Sequence, residues 1–293
     1  EDMVLAIKLG CKIHIDNFDE IKLLKSISGS FTGKINVGVR VSYPEAGKWS
    51  RFGFDLGNET YQAVQEILRI KSVNFVGLHC HQSNIISLHE YGAFLRKLFA
   101  LASSIQSGYG VSLQYIDIGS GFPVSYPRPI NDLTWSPPDI KEYAKLAKEL
   151  WVKNNFKEPA PKLIIEPGRS AIASSGNLLT KVVSIKQRRN ENIVFTDIAL
   201  NFLPGAEIYR YQINPLVDTT GIHENRKYII CGCLCDSLDI IDDNYQADNI
   251  QVGDMFNVLD VGGYDMARSF VWQLPLPRIA WVGNNCDVLI VDR

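Results

Sequence analysis

Two histidines, His79 and His81, close the apolar run Val76-Gly77-Leu78-His79-Cys80-His81. On a strand this spacing puts both imidazoles on one face, where a pair suits ligand stacking or acid/base work; a lone histidine there suits a core position bonded to backbone. Gly119-Ser120-Gly121 follows another apolar run. Small residues let backbone N–H groups approach an anion closely, although they also build ordinary tight turns. Glu166-Pro167-Gly168-Arg169 ends a third run with a carboxylate, a glycine that clears space and a guanidinium able to grip a phosphate with two parallel bonds. The stretch Cys231-Gly232-Cys233-Leu234-Cys235 invites a metal reading. On one strand its three thiols would share a face, too close together for tetrahedral zinc without outside ligands.

The elements that must position these residues alternate in kind. Helix-period segments run over Asp19 to Ile27, Thr60 to Ile70, Glu90 to Ser107 and Asp139 to Asn154. Between them lie short β-branched runs, Lys12 to Ile15, Ile35 to Val41, Phe75 to His81, Leu113 to Ile118 and Leu163 to Ile165. Strands alternating with helices predict βαβ units and a parallel sheet, and near-continuous apolar strands predict burial on both faces. The fold class is therefore α/β, with a barrel favoured over a half-solvated sheet. The polar and glycine-rich residues, His79, His81 and Asn84 among them, follow the C-terminal ends of the strands, the catalytic face of a β/α barrel. Beyond about Asn177 the pattern becomes strand-rich, in Leu178 to Lys186, Asn192 to Asp197, Lys227 to Cys233 and Asp254 to Leu259, with no long amphipathic helix. We read residues 1–176 as a partial β/α barrel that binds a cofactor and 177–293 as a mostly β domain. The run ending at Asp197 could close the barrel or begin the β domain.

The chain has 293 residues, 46% hydrophobic and 21% charged, which is ordinary globular composition and excludes disordered and collagen-like classes. Its 30 basic and 32 acidic residues are mixed along the chain, so there is no basic stripe for nucleic acid. No run approaches the roughly 20 apolar residues of a membrane span, and Glu1-Asp2-Met3 lacks the basic-then-apolar pattern of a secretory signal. A soluble cytoplasmic protein is the expectation. Six cysteines in this length make no disulfide framework, so reduced thiols are expected.

The ordered series Ser50-Arg51-Phe52-Gly53, Gly77-Leu78-His79-Cys80-His81, Ile116 to Pro123, Glu166-Pro167-Gly168-Arg169, Cys235-Asp236-Ser237-Leu238-Asp239, and Gly253-Asp254 through Gly262-Gly263-Tyr264 resembles the family of ornithine, diaminopimelate and arginine decarboxylases. The resemblance covers nearly the whole chain, and six motifs in family order are far more specific than any one. It implies an alanine-racemase-like barrel of the pyridoxal 5'-phosphate-dependent decarboxylases, followed by a C-terminal β domain. Glu166 would pair with the pyridine nitrogen and keep it protonated. His81 would stack on the ring. Ser83, Gly119, Ser120, Gly121, Gly168, Arg169 and Tyr264 would hold the phosphate. Cys235 would protonate the decarboxylated product from across a homodimer interface, with Asp236 beside it on the substrate. Taken singly, Glu166 reads as a solvated strand-end carboxylate, Tyr264 as a packing residue and Cys235 as an inert thiol; their joint order reverses that.

Three departures from the family pattern carry expectations of their own. Relatives hold the cofactor through a lysine on the first barrel strand. The opening Glu1 to Lys12 reads instead as the helix before a third strand, with Lys8 and Lys12 on its surface. Counting strands forward gives about six of eight, so about two strands would precede residue 1, and the final strand of the β domain could pair with that segment. On this reading residues 1–293 alone would be inactive and would bind the cofactor at most weakly, without a covalent anchor. After His81, relatives carry an apolar residue, glycine and serine, where this chain has Gln82-Ser83-Asn84. Diaminopimelate-specific relatives place an arginine where Leu203 or Gly205 stands in Asn201 to Glu207, so a substrate with a distal amine is expected, met by Asp236 and assisted by Glu207. A larger amino-acid conjugate fits equally well. The alternatives are an amino-acid racemase, which Glu166 opposes because racemases set an arginine against the ring nitrogen, and a catalytically inactive homologue acting by protein binding.

Overall fold

The computed structural model describes all residues except 45–49, 84, 86, 131–133, 135, 157, 217–224 and 293. Asn84 therefore lies outside the described residues. The chain divides into two compact units: residues 1–123 with 137–168, and residues 124–136 with 169–293.

The first unit is built on strands β1 (Ile13–Ile15), β2 (Ile35–Ser42), β3 (Phe54–Asp55), β4 (Val73–His79), β5 (Tyr115–Asp117) and β7 (Lys162–Ile164). The intervening β6 (Arg128–Pro129) belongs to the second unit. Among the described residues β1, β2, β4, β5 and β7 line up in that order, every neighbouring pair parallel, and β3 pairs with the end of β2. This is the barrel-type α/β arrangement that alternating strand and helix patterns require.

Helices α1 (Asp2–Lys8), α2 (Phe18–Ile27), α3 (Asn58–Leu68), α4 (Leu88–Tyr109) and α5 (Ile140–Asn154) connect the strands. Their ends are set by local chemistry. The Asn17 side chain accepts from the Glu20 N–H and starts α2; Ser87 does the same for α4 through Glu90. Asp139 and Glu142 form a reciprocal capping box at α5. Gly110, in the left-handed region, stops α4. Helix α4 buries Tyr91, Phe94, Leu95, Leu98, Ala102 and Ile105, a stripe at three- and four-residue spacing that packs into the core of this unit. Tyr91, Phe122 and Tyr143 meet edge to face, and the Tyr143 hydroxyl donates to the carbonyl of Ile85 at 3.1 Å. That aromatic block supports the loops carrying Gln82 and Gly121.

Where the strand reading ran to His81, the strand ends at His79. His81 stands in the loop beyond, so the two histidines do not share a strand face. The run near Asp197 resolves the other way from barrel closure. β9 (Glu191–Thr196) pairs antiparallel with β8 (Leu178–Arg188) and parallel with β12 (Arg226–Cys231), and none of these strands joins the first sheet. Among the described residues the first sheet therefore has six strands, five in the parallel row and β3 beside β2, the number expected.

The second unit places β11 (Ile213–Pro215), β14 (Met255–Val258), β8, β9, β12 and β13 (Ile240–Ala247) in one sheet, in that order. β10 (Tyr209–Arg210) pairs with β6, and β15 (Ile279–Val282) with β16 (Val288–Val291). Val182, Val194, Leu203, Tyr211, Tyr228, Ile230, Ile241 and Phe256 form its core. Its helices are short, such as α6 (Arg169–Ile172) and α7 (Asp265–Arg268), as the strand-rich pattern predicted. β12 stops at Cys231, so the cysteine run is not one strand: Cys233 and Cys235 lie exposed in the turn that follows. No helix among the described residues is long and apolar enough to cross a membrane.

Candidate active site

Parallel register puts a row of polar side chains at the C-terminal strand ends of the first unit. Arg40 on β2 stands beside His79 on β4, and His79 beside Asp117 on β5. Asp16, just past β1, reaches Arg40 at 3.8 Å. One step beyond β7 comes Glu166, whose N–H donates to the Gly119 carbonyl at 2.7 Å, fastening the Glu166 loop to the glycine turn.

His79 is the buried centre of this row. Its Nε2 lies 3.6 Å from Glu166 Oε2, and the Glu166 side chain is 53% exposed. Neither ring nitrogen of His79 has a hydrogen-bond partner, although both are shut away from solvent. His14 of β1 stacks on it, with ring centroids 4.8 Å apart and planes 11° from parallel, and Tyr115 meets His14 Nε2 at 2.9 Å. The Tyr115 ring lies so close over Gly77 that a Cβ there would fall inside it. Burial, seconded by the neighbouring His79, lowers His14 to about 4. Burial likewise lowers His79, against the pull of Asp117 in the opposite direction. Both imidazoles are thus neutral near pH 7.

The glycine turn is made by conformations that need glycine. Gly119 has φ +61° and Gly121 φ +107°; a Cβ on Gly119 would stand 2.7 Å from His81 Nδ1, and one on Gly121 would strike the Gln82 carbonyl oxygen. Asp117 accepts from the Gly119 N–H at 2.9 Å, and His81 Nδ1 from the Ser120 N–H at 3.4 Å. The second bond leaves the proton of a neutral His81 on Nε2. Ser83 is exposed in the loop after His81, and Gly168 is half-buried.

Donor atoms of His79, His81 and Glu166 lie within 4.8 Å of one another. Donors around a tetrahedral zinc stand about 3.4 Å apart. The set comprises one buried ring, one half-buried ring and one exposed carboxylate.

In the second unit Arg169 opens α6, its guanidinium carbon 4.9 Å from the centre of the Tyr209 ring and 5.3 Å from that of Tyr264. One terminal nitrogen of Arg169 is buried without a partner, a donor free for an anion. Tyr264 is half exposed, at φ +74°. Asp265 beside it accepts from the Gly205 N–H at 3.0 Å and the Tyr211 hydroxyl at 2.7 Å, and burial raises its carboxyl above the usual range. Cys235 is exposed and accepts from the Gln273 amide at 3.0 Å; Asp236 caps its own turn by accepting from the Leu238 N–H at 2.9 Å. Glu207 is exposed at the end of the turn Pro204–Glu207.

The structure thus brings His81, Glu166, Gly119, Ser120 and Gly121 together in one unit, and Arg169 with Tyr264 in the other. Sequence reasoning passed over His14, Arg40 and Tyr115. The available signal was register: polar residues near the ends of consecutive strands fall in one row once parallel pairing is assumed.

Comparison with known proteins places the chain among relatives of one family. Diaminopimelate decarboxylase of Aquifex aeolicus is 28% identical over 92% of this chain and 64% of its own length. The enzyme of that name from Methanocaldococcus jannaschii is 25% identical over 100% of the chain and 68% of its own length. The chain therefore spans about two thirds of the length of these relatives. The crystal structure of M. jannaschii diaminopimelate decarboxylase in co-complex with L-lysine superposes with a TM-score of 0.87, at 24% identity, covering 99% of this chain and 68% of the other, a likeness of fold. Residues 1–173, more than half of the chain, match the family described as pyridoxal-dependent decarboxylase, pyridoxal binding domain. With the strand-end row, the glycine turn and this match in agreement, the chain belongs to the pyridoxal-dependent decarboxylase family.

Proposed function

We propose that this chain serves pyridoxal 5'-phosphate-dependent decarboxylation of an amino acid bearing a distal amine. The observation that carries the reading is the placement of Glu166, His79 and His81 beside the Gly119–Gly121 turn. When bound, pyridoxal phosphate supplies an electron sink for the pair left on Cα as carbon dioxide departs. Glu166 would hold a proton at the pyridine nitrogen, and His81 would present its flat face to the ring. The backbone N–H groups of Gly119 to Gly121 with Ser83, Gly168, Arg169 and Tyr264 would hold the phosphate; the unpartnered Arg169 nitrogen fits that use. Cys235 would deliver a proton to Cα, and Asp236 would meet the distal amine, with Glu207 assisting. The exposure of Cys235 supports its serving the site of a second copy of the chain.

The substrate reading rests on Leu203 or Gly205 standing where diaminopimelate-specific relatives carry an arginine, and Gly205 can be tested against the structure. A Cβ there would collide with the Tyr211 hydroxyl and stand 2.7 Å from Asp265 Oδ1. An arginine for a distal carboxylate has no room at this position, which supports ornithine, lysine, arginine or an amine-bearing conjugate over diaminopimelate. The relatives named above carry the diaminopimelate name, so the test includes that compound. Protein that carries the cofactor lysine, supplied with pyridoxal phosphate, should release carbon dioxide from one of the first group faster than from diaminopimelate. Cys235→Ala should slow turnover at least tenfold or alter the product's stereochemistry. Preference for diaminopimelate, or unchanged kinetics and product in Cys235→Ala, would defeat the corresponding part of the reading.

A further inference from the structure

His79 is buried with two unpartnered ring nitrogens, a costly arrangement unless one of them finds an acceptor. The groups facing it are Asp16, Arg40, His14, His81, Asp117 and Glu166. Of these, Glu166 presents a half-exposed carboxylate oxygen at 3.6 Å from Nε2, just beyond hydrogen-bond range, and a small rotation of that side chain would close the gap. His14 lies flat against the other side of the ring and is itself fixed by Tyr115. The Tyr115 ring sits in the space that Gly38 and Gly77 leave by having no side chains.

We propose that His79 is a positioning residue for Glu166: its Nε2–H donates to the Glu166 carboxylate and sets which edge of that carboxylate faces the pyridine nitrogen, with His14 and Tyr115 holding the imidazole in place. The proposal rests on the decarboxylase reading for its purpose, though not for the bond itself. The proton inventory is self-consistent. Burial pushes the Tyr115 hydroxyl up to about 12, so Tyr115 keeps its proton and is able to donate to His14 Nε2. His14 then carries its proton on Nδ1, and two neutral rings stack without charge repulsion. His79, also neutral, has one N–H to give, and Nε2 is the nitrogen that faces an acceptor.

The test needs no activity. In cofactor-free protein labelled with 15N at its five histidines, His79 should show the Nε2–H tautomer, and Glu166→Gln should shift its ring nitrogen resonances. An Nδ1–H tautomer, or resonances that ignore Glu166→Gln, overturns the proposal. A second arm follows uptake of pyridoxal phosphate by absorbance. His79→Asn should weaken binding about tenfold, the loss expected for one charge-assisted bond, and should add nothing in a Glu166→Gln background. Independent, additive losses mean that His79 acts on the fold and not through Glu166, and they overturn the assignment. The Glu166→Gln spectra leave the buried ring intact and decide the matter even where His79→Asn fails to fold. Lysine-bearing protein that shows the His79–Glu166 bond yet takes up no pyridoxal phosphate sinks the decarboxylase reading, and with it the use of the bond.

Discussion

Replacing Gly121 with alanine perturbs the glycine turn in two separable ways. At φ +107° an L-residue is strained, at a cost of about 1–3 kcal/mol. The added Cβ also strikes the Gln82 carbonyl oxygen, and its next nearest contacts, at 3.0 Å, are backbone carbons of Gln82 and Ser83, so relief requires the loop itself to move. Overpacking of that kind costs about 1–3 kcal/mol more. The same shift pulls on the bond from the Ile85 N–H to the Gly121 carbonyl, 3.0 Å long, and so on the loop supported by Tyr143. The sum, about 4 kcal/mol, is a large part of the 5–15 kcal/mol typical of a folded protein. With a urea slope of about 3 kcal/mol/M, the denaturation midpoint should fall by about 1.3 M. Gly110→Ala is the control: φ is +66° and nothing lies within 4 Å of the new Cβ, so only the left-handed conformation is charged, about 1–2 kcal/mol. Urea denaturation followed by circular dichroism measures both variants, and a pyridoxal phosphate titration should show weaker binding for Gly121→Ala alone. Equal midpoints for the two variants would refute the claim that the Gln82 contact constrains the turn.

Two further outcomes follow from burial. His14 and His79 are held neutral in the fold and take up protons at the ordinary value when unfolded, so their stabilisation is complete above about pH 6.5 and is lost as pH falls toward 4, the folded value for His14. At about 1.4 kcal/mol per pH unit, His14 sets a ceiling near 3 kcal/mol, and solvent contact of the ring reduces that to about 1–2 kcal/mol. The gap in urea midpoint between pH 7 and pH 4.5 should therefore be narrower in His14→Asn than in the wild type, and an equal gap would count against a neutral ring. Gly205→Ala should destabilise the second unit by about 1–3 kcal/mol, because the Cβ displaces the Tyr211 hydroxyl from Asp265, and Tyr211→Phe in the same chain should relieve part of that loss. Full additivity of the two changes would show that the hydroxyl is not what the methyl meets.

Much of the first unit was legible from local pattern. The capped starts at Asn17, Ser87 and Asp139, the apolar stripe of α4 and the β-branched runs are properties of neighbouring residues, and neighbouring residues decide helix and strand. The same local view misled at His81, since alternation in sequence does not say where backbone pairing stops. It also left the run at Glu191–Thr196 open, because an apolar β-branched strand suits either sheet and only its partners β8 and β12 settle the choice.

What the sequence by itself determined was the α/β-then-β order, the chemical types at the strand ends and the family they spell out. Only the tertiary structure decided which of those residues meet. His14 and Tyr115 are 101 residues apart and touch because β1 and β5 lie in one parallel sheet, across two strands whose glycines leave room for the Tyr115 ring. His79 is neutral, unpartnered and within reach of Glu166 for the same reason: desolvation and register are properties of a packed sheet. Gly205 makes the contrast plain. The sequence shows only a glycine there, and the fold shows that the Tyr211 hydroxyl and the Asp265 carboxylate occupy the space a side chain would enter.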